Sequence, residues 1–273
     1  MNIGIVGLGL IGGSIGLKLQ SLNHIVYGVT NNNFNESRSK ERKLATLVSQ
    51  NYKVLQECEI VILALPIKDL LNPENDLIKA IPANTIVTDV GSVKVPIVKT
   101  WEKIHPLFIG SHPMAGNEKK GVSSGDIKLF DNARWIITPT KKTHTKSLNI
   151  LSQLFQSMNC DVLLEPPFIH DQAVSLISHL PIYLASCLLE TVNDEQDEKL
   201  LNLSRKIAST GFSDTSRVGG GNPILGIDLA KNNTENIRNS LKKFRENICK
   251  IERILEDSDW EALHEKLENA ARC

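Results

Sequence analysis

The stretch Gly7-Leu8-Gly9-Leu10-Ile11-Gly12 decides the first half of the fold, because it matches G-x-G-x-x-G in the setting that this pattern requires. The apolar run 3–6 before it predicts a β-strand, and the residues after it have helical spacing. In such a turn the first glycine allows the tight bend, the second lets backbone N–H groups approach a pyrophosphate, and the third packs helix against strand. The sequence therefore predicts a dinucleotide site whose first contacts are Gly7, Gly9, Leu10, Ile11 and Gly12.

The pattern of apolar residues changes once along the chain, which predicts two domains. Up to about residue 165, short apolar runs alternate with amphipathic stretches, as in a parallel sheet covered by helices. Strands are predicted at 3–6, 25–29, 60–65, 85–90, 107–110, 135–138 and 161–164, and helices near 10–22, 67–80, 94–104 and 144–158. Afterwards only helical spacing remains, at 168–190, 195–210, 224–231, 233–256 and 260–271. We expect a doubly wound, mostly parallel α/β Rossmann domain over 1–165 and an all-α domain over 166–273.

Composition narrows the class of partner. The 273 residues carry 31 Lys and Arg against 31 Asp and Glu, whereas nucleic acids and anionic membranes attract a basic surplus. Five scattered cysteines without a C-x-x-C pair predict reduced thiols, with neither a disulfide framework nor a metal site. The longest uncharged run, 172–189, contains His179 and Pro181 and is shorter than the roughly 20 residues of a membrane span. With a strand starting right after Met1, these features predict a cytoplasmic protein that binds small molecules.

The residues after the second predicted strand indicate which dinucleotide binds. An NAD-selective site usually places Asp or Glu there, to accept a hydrogen bond from the ribose 2′-hydroxyl. Residues 27–33 read Tyr-Gly-Val-Thr-Asn-Asn-Asn, and the first acid is Glu36. Thr30 and Asn31 can donate to a 2′-phosphate that a carboxylate would repel, so we expect NADP at these two residues. Basic residues follow and are explained equally well by a solvated helix face: Arg38, Lys40, Arg42 and Lys43.

Polar side chains follow two strands of the predicted α/β domain. Ser92 comes after the strand that ends near Asp89, at the edge where open α/β sheets bind ligands, although it could equally be the N-cap of the next helix. His112 follows another strand, and its ordinary pKa near ~6.5 suits a proton acceptor at neutral pH. Each residue alone is a modest signal for catalysis.

The helical domain offers two further candidates. His179 lies within an apolar stretch, where a buried core histidine is the simpler interpretation. Arg217 precedes three glycines and could present its planar fork to a carboxylate, or could form a surface salt bridge.

In chain order these motifs resemble those of the prephenate/arogenate dehydrogenases, most of all the short cyanobacterial arogenate dehydrogenases of tyrosine synthesis. The matching blocks are the glycine turn, Ala64-Leu65-Pro66, Asp89-Val90-Gly91-Ser92-Val93-Lys94, Ser111-His112-Pro113-Met114-Ala115-Gly116, Ser178-His179-Leu180-Pro181 and Gly211-Phe212 through Arg217. The resemblance covers nearly the whole chain. It implies a Rossmann domain, a helical domain that forms a homodimer, and oxidative decarboxylation of a cyclohexadienyl acid. In that reaction the ring C4 hydrogen leaves as hydride to a nicotinamide and the ring carboxylate leaves as CO2.

The resemblance also implies roles for individual residues. His112 would accept the proton of the C4 hydroxyl, and Ser92 would hydrogen-bond to that hydroxyl or to His112. His179 and Arg217 would bind the substrate, and Gly116 would provide a turn in the substrate loop. The cofactor would contact Ala64, Leu65, Pro66 and Gly91.

Substrate and cofactor preference depend on less specific residues. The cyanobacterial relatives carry an Arg where this chain has Asn31, which weakens the case for NADP without supplying the acid of an NAD site. Arogenate has an amino group where prephenate has a keto group, so Asp214 or carbonyls of the loop 219–221, which ends at Gly221, could favour arogenate. The simpler interpretation of Asp214 is a helix N-cap.

The first alternative to an arogenate dehydrogenase is a prephenate dehydrogenase. It is followed by a related NADP-dependent hydroxyacid dehydrogenase or imine reductase, and by a non-catalytic NADP sensor.

Overall fold

The computed structural model describes residues 1–116 and 121–272, and the chain divides into two compact units, Met1–Ala173 and Val174–Cys273. This division falls a little after the boundary predicted at residue 165. The reason is that residues at the start of the following helix are hydrogen-bonded within the first unit, as described below for Asp171.

The first unit is built on one eight-stranded sheet. Its strands are β1 (Asn2–Val6), β2 (Ile25–Val29), β3 (Leu47–Ser49), β4 (Ile60–Leu63), β5 (Ile86–Asp89), β6 (Phe108–Pro113), β7 (Arg134–Thr138) and β8 (Asp161–Leu164). They lie in the order β3-β2-β1-β4-β5-β6-β7-β8, and every neighbouring pair is parallel except β6 and β7. The predicted doubly wound, mostly parallel sheet is therefore confirmed. Strand order reverses beside β1, where such sheets bind their ligands.

Helices connect these strands. They are α1 (Leu10–Ser21), α2 (Asn33–Glu41), α3 (Ile67–Leu71), α4 (Asn75–Ala80), α5 (Val95–Trp101), α6 (Thr145–Ser157) and α7 (Pro167–Val174), the last of which begins in this unit. The single helix predicted over 67–80 is wrong, because Pro73 separates α3 from α4. Helix α2 has almost no apolar residue to give a periodic signal, and Asn32 starts it by accepting the N–H of Asn35 at 2.8 Å.

The core of this unit lies on the sheet. Ile3, Ile5, Ile60 and Ile62 from the central strands are completely buried, as expected for parallel strands covered on both faces. Under the other end of the sheet, Trp135 stacks on Phe155 with ring centroids 4.0 Å apart.

The second unit is helical, which confirms the all-α prediction. A π-helical turn at Ser175–His179 leads into α8 (Leu180–Asn193), followed by α9 (Glu198–Ile207), α10 (Thr210–Ser216), a 3-10 turn at Arg217–Gly220, α11 (Pro223–Asn232), α12 (Thr234–Glu256) and α13 (Trp260–Ala271). Pro181 gives the π turn a cause, since its ring would clash with the carbonyl of Ile177 in a regular helix and it has no N–H to donate.

One helical stretch, Pro167–Asn193, is long and apolar enough to cross a membrane when judged by length and composition. Its most apolar 18 residues have a mean hydropathy of 1.5, and 22% of that window is buried. Those criteria alone are weak evidence, because the core helices of proteins that cross no membrane satisfy them as well.

Candidate active site

The glycine turn has the backbone shape that the motif requires. Gly7 has φ +92°, and a Cβ on it would lie 2.4 Å from the carbonyl oxygen of Ala64. A Cβ on Gly12 would lie 1.9 Å from the carbonyl oxygen of Gly7, so this residue lets α1 pack against the turn. At Gly9 a Cβ would meet nothing within 4 Å, which leaves open space beside the backbone where a pyrophosphate would approach.

The end of β2 provides a second feature suited to a dinucleotide. The Thr30 hydroxyl oxygen is buried and has no hydrogen-bond partner among the described residues, which is costly unless a ligand completes it. Asn31 beside it is exposed, and its side-chain oxygen accepts hydrogen bonds from the amides of Asn32 and Asn35. The predicted residues Thr30 and Asn31 therefore fit the ribose end of the cofactor.

Of the four basic residues that follow Asn31 in the sequence, three form ion pairs or hydrogen bonds with other parts of the protein. Arg38 pairs with Glu41 and Lys40 with Glu36. Arg42 donates to the carbonyls of residues 122 and 125 at 3.3 and 3.0 Å. These contacts support a structural role for this basic run.

The strand register brings the remaining predicted cofactor residues to the same edge of the sheet. Val6 is paired with Leu63, and Leu63 with Asp89, so the glycine turn, residues 64–66 and Gly91 follow neighbouring strand ends. Each has a local reason for its position. The Ala64 N–H donates to the Val6 carbonyl at 2.8 Å, and the Gly91 N–H donates to the Asp89 carboxylate at 2.8 Å. Leu65 is half-buried, and Pro66 is exposed directly before α3.

A completely buried ion pair lies at the end of β5. Lys94 Nζ donates to Asp89 Oδ2 and, at 2.7 Å, to the carbonyl of Ser111. The other Asp89 oxygen accepts the Ser111 N–H at 3.2 Å. Burial raises the pKa of Asp89 and lowers the pKa of Lys94, and their mutual attraction opposes both shifts. The pair joins the ends of β5 and β6, and thereby holds the segments that carry Ser92 and His112.

The structure corrects the N-cap interpretation of Ser92. Helix α5 begins at Val95 rather than Val93, and Ser92 is a half-buried residue of the turn before it. The helix is instead capped by Asp171, whose two carboxylate oxygens accept the backbone N–H groups of Lys94 at 2.7 Å and Val95 at 2.8 Å. Ser92 is thus not needed to start the helix, and its hydroxyl stays a candidate for the chemistry.

His112 lies near the end of β6 and belongs to a row of three side chains. Its Nδ1 is 2.9 Å from Nε2 of His170, and Nδ1 of His170 is 2.8 Å from Oδ1 of Asp171. Burial lowers the pKa of His170, with the Lys94 charge lowering it further and Asp171 opposing both. Sequence reasoning missed His170 and Asp171. The available signal was a His-Asp pair three residues after Pro167, inside the helix predicted over 168–190.

Gly116 ends the described part of the segment that contains His112. It is exposed, a Cβ on it would meet nothing within 4 Å, and its φ is not positive. A positive φ, +77°, is found at Gly121.

In the helical unit, His179 is the last residue of the π turn and is completely buried. The Asn233 side-chain amide donates to its Nδ1 at 3.3 Å, and Asn236 donates to the Asn233 oxygen at 2.8 Å. With Nδ1 as the acceptor, Nε2 of His179 carries the proton.

The segment 210–221 contains the other predicted substrate residues. The N-cap interpretation of Asp214 is wrong: Ser209 precedes α10, and Asp214 is exposed inside that helix, three residues before the exposed Arg217. Gly221 is exposed with extended backbone, whereas the glycine that permits close packing is Gly219, where a Cβ would lie 2.4 Å from the Ala185 backbone in α8.

Known proteins match almost the whole chain. The family model for the prephenate dehydrogenase nucleotide-binding domain matches residues 15–164, and the one for the prephenate dehydrogenase dimerization domain matches residues 166–269. A prephenate dehydrogenase of Bacillus subtilis is 30% identical over 95% of this chain and 71% of its own length.

Two solved structures are similar over the whole fold. The arogenate dehydrogenase of Synechocystis is 36% identical, with a TM-score of 0.86, over 98% of this chain and 97% of its own. The prephenate dehydrogenase of A. aeolicus, in complex with hydroxyphenyl propionate and NAD+, is 27% identical, with a TM-score of 0.92, over 99% of this chain and 96% of its own.

Proposed function

This chain belongs to the prephenate dehydrogenase family, and we propose that it is an arogenate dehydrogenase that uses NADP+. The reaction would convert L-arogenate to L-tyrosine and CO2 in the cytoplasm, as a step of tyrosine biosynthesis. The observation that carries the proposal is the placement of His112 near the strand-end edge that also holds the glycine turn and Gly91.

The choice of arogenate is supported by two features. Identity is higher to the Synechocystis arogenate dehydrogenase than to the A. aeolicus prephenate dehydrogenase, and both comparisons cover nearly the whole chain. Asp214 supplies an exposed carboxylate three residues from Arg217, where it can attract the substrate ammonium while Arg217 binds a substrate carboxylate.

The choice of NADP+ is supported by the end of β2. The described residues 30–33 include no acid, and Thr30 and Asn31 can donate to a 2′-phosphate. The NAD+ complex of the A. aeolicus protein makes NAD+ the competing cofactor, so both are compared in the experiment below.

The protein's part in the chemistry is orientation and transfer of one proton. When bound, the nicotinamide ring supplies the acceptor for the hydride that leaves ring C4. The His112 imidazole accepts the proton of the C4 hydroxyl, and Ser92 donates to that oxygen or to the imidazole. Loss of CO2 then leaves an aromatic ring whose oxygen takes the proton back from His112. The reaction therefore consumes and releases no net proton.

The other predicted residues position the substrate. Arg217 binds a carboxylate through its fork, and His179 donates from its protonated Nε2. Gly116 and Gly221 contribute backbone next to the bound acid. These roles rest on the family resemblance together with the tautomer that Asn233 imposes on His179.

We also propose that the protein is a homodimer, as the name of the matching helical family model suggests. Leu200, Leu203 and Ile207 form an apolar face of α9 and are 48%, 51% and 67% exposed in the single chain. Ile207→Asp should shift the protein towards monomers in light scattering at micromolar concentration. The matched control Asn202→Asp, an exposed change elsewhere on the same helix, should leave the dimer intact.

The deciding experiment compares initial rates at 340 nm for arogenate and prephenate, each with NADP+ and NAD+. The proposal expects the highest kcat/KM for arogenate with NADP+, with tyrosine as the product. A preference for prephenate would overturn the substrate assignment but leave the family chemistry intact. Asp214→Asn should lower the arogenate-to-prephenate ratio of kcat/KM, whereas Glu265→Gln, which removes an exposed carboxylate of α13, should not change it.

A further inference from the structure

We infer that His170 is a positioning residue: it holds His112 in the tautomer with the proton on Nδ1, so that Nε2 presents the lone pair. The inference deepens the proposed function, since it assumes that His112 accepts a proton during the reaction. It is carried by the row His112–His170–Asp171, whose heavy-atom separations are 2.9 and 2.8 Å.

The row is anchored at Asp171. Its oxygens accept the backbone N–H groups of Lys94 and Val95, so the carboxylate is held at the start of α5. An ionised carboxylate can only accept hydrogen bonds. The Nδ1 of His170, 2.8 Å from Oδ1, must therefore carry a proton and donate it.

His170 passes this constraint to His112. The His170 side chain is buried, and the cost of desolvation favours its neutral form. A neutral imidazole with its proton on Nδ1 has its lone pair on Nε2, which can only accept. Since that Nε2 faces Nδ1 of His112, the His112 proton lies on Nδ1 and its lone pair on Nε2.

The consequence for catalysis is that His112 is held in the tautomer that can accept the hydroxyl proton. A histidine whose proton is on the nitrogen that faces the substrate has no lone pair there and cannot accept the hydroxyl proton. The row removes this unproductive tautomer and also stabilises the imidazolium that forms, because Nδ1–H keeps its acceptor after Nε2 is protonated. A purely structural His170 would tie α7 to β6 without influencing kcat.

Two substitutions at His170 separate these roles. In His170→Gln, the side-chain oxygen can occupy the position of Nε2 and accept from His112. In His170→Asn, the shorter amide can donate to Asp171 but does not reach His112. We expect Gln to retain most of the activity and Asn to lower kcat by about 10-fold or more, within the roughly 10²–10⁴-fold that general-base catalysis contributes. KM for arogenate and for NADP+ should stay nearly unchanged in both variants.

The second readout is the tautomer itself. Long-range ¹H–¹⁵N NMR spectra of the wild-type protein, with His112→Gln used to assign the signals, should show His112 protonated on Nδ1. His170→Asn should shift the signals towards a mixture of tautomers, and His170→Gln should not.

Two results would overturn the inference: an Nε2-protonated His112 in the wild-type protein, or equal kcat for His170→Asn and His170→Gln. If the wild-type enzyme turns over neither arogenate nor prephenate, the proposed function fails, and the NMR spectra still decide the tautomer. If a His170 variant does not fold, the wild-type spectrum decides alone.

Discussion

The Asp171 carboxylate accepts the backbone N–H of Lys94 at 2.7 Å, although the two residues are 77 positions apart in the chain. A residue of the second half of α7 thus caps α5, and the same carboxylate fixes His170. The relationship links the stability of the first unit to the orientation of the proposed base.

The first prediction concerns this cap. Asp171→Ala should lower the free energy of unfolding by more than the ~0.5–2 kcal/mol that loss of an ordinary N-cap costs, because the N–H of the completely buried Lys94 is left without an acceptor. Denaturant unfolding measures it. The control is Asp197→Ala, which removes the exposed cap of α9 and its bonds to the N–H groups of Lys199 and Leu200. Equal losses in the two variants would contradict the prediction.

The second prediction concerns the buried ion pair. Lys94→Met should lower the free energy of unfolding by about 3–5 kcal/mol, since it leaves the Asp89 charge buried without its partner. The double variant Lys94→Met with Asp89→Asn should recover part of the lost stability. Lys18→Met, which breaks the more exposed pair with Asp131, should cost only about 0–1 kcal/mol. A double-mutant cycle without coupling between residues 89 and 94 would refute this account.

The third prediction concerns pH. Burial lowers the pKa of His170 in the folded protein, so below the ordinary value near ~6.5 the unfolded chain binds a proton that the folded chain does not. The stability that His170 contributes is fully present above that pH and is lost as the pH falls towards the folded pKa, by up to about 1.4 kcal/mol per pH unit. His170→Gln should make the free energy of unfolding fall less steeply below pH ~6.5. His24 and His105, whose pKa values are also lowered, titrate in both proteins, so the difference belongs to residue 170. Parallel curves of the free energy of unfolding against pH for the wild-type protein and His170→Gln would count against this prediction.

The fourth prediction concerns the cofactor. Asn31→Asp should lower the ratio of kcat/KM for NADP+ to that for NAD+ by about 10-fold or more, since ~1.4 kcal/mol of charge repulsion suffices for a tenfold change. Initial rates with both cofactors measure it. Asn33→Asp places the same charge two residues further on and keeps the oxygen that accepts from Gln50, so its ratio should change less. An unchanged ratio in Asn31→Asp would show that the 2′-phosphate does not approach this residue.

Much of the fold was predictable because it rests on local patterns. Buried parallel strands produce continuous apolar runs, and the glycine turn has a recognisable spacing. Helix α2 and strand β3 were missed, since α2 is polar and capped by its own Asn32, and β3 has only three residues. Proline explained both irregularities, the break at Pro73 and the π turn before Pro181, although neither was predicted from it.

The candidate site was predictable only where one residue type in one position carries the signal. His112 and Ser92 came after predicted strands, although the observed strand β6 extends to Pro113 and includes His112, and Gly7 and Gly12 matched a motif. His170, by contrast, is 58 residues from His112, and its importance lies in a distance between two rings.

The sequence alone determined the class of sheet, the dinucleotide turn and the family, because hydrophobic periodicity, glycine spacing and ordered motifs are properties of neighbouring residues. Only the tertiary structure decided which acid caps α5, which cation neutralises Asp89 and which side chain faces Nδ1 of His112. The contacts of Asp171 with Lys94 and of His170 with His112 join residues 77 and 58 positions apart at 2.7 and 2.9 Å, and such distances exist only once the sheet has formed.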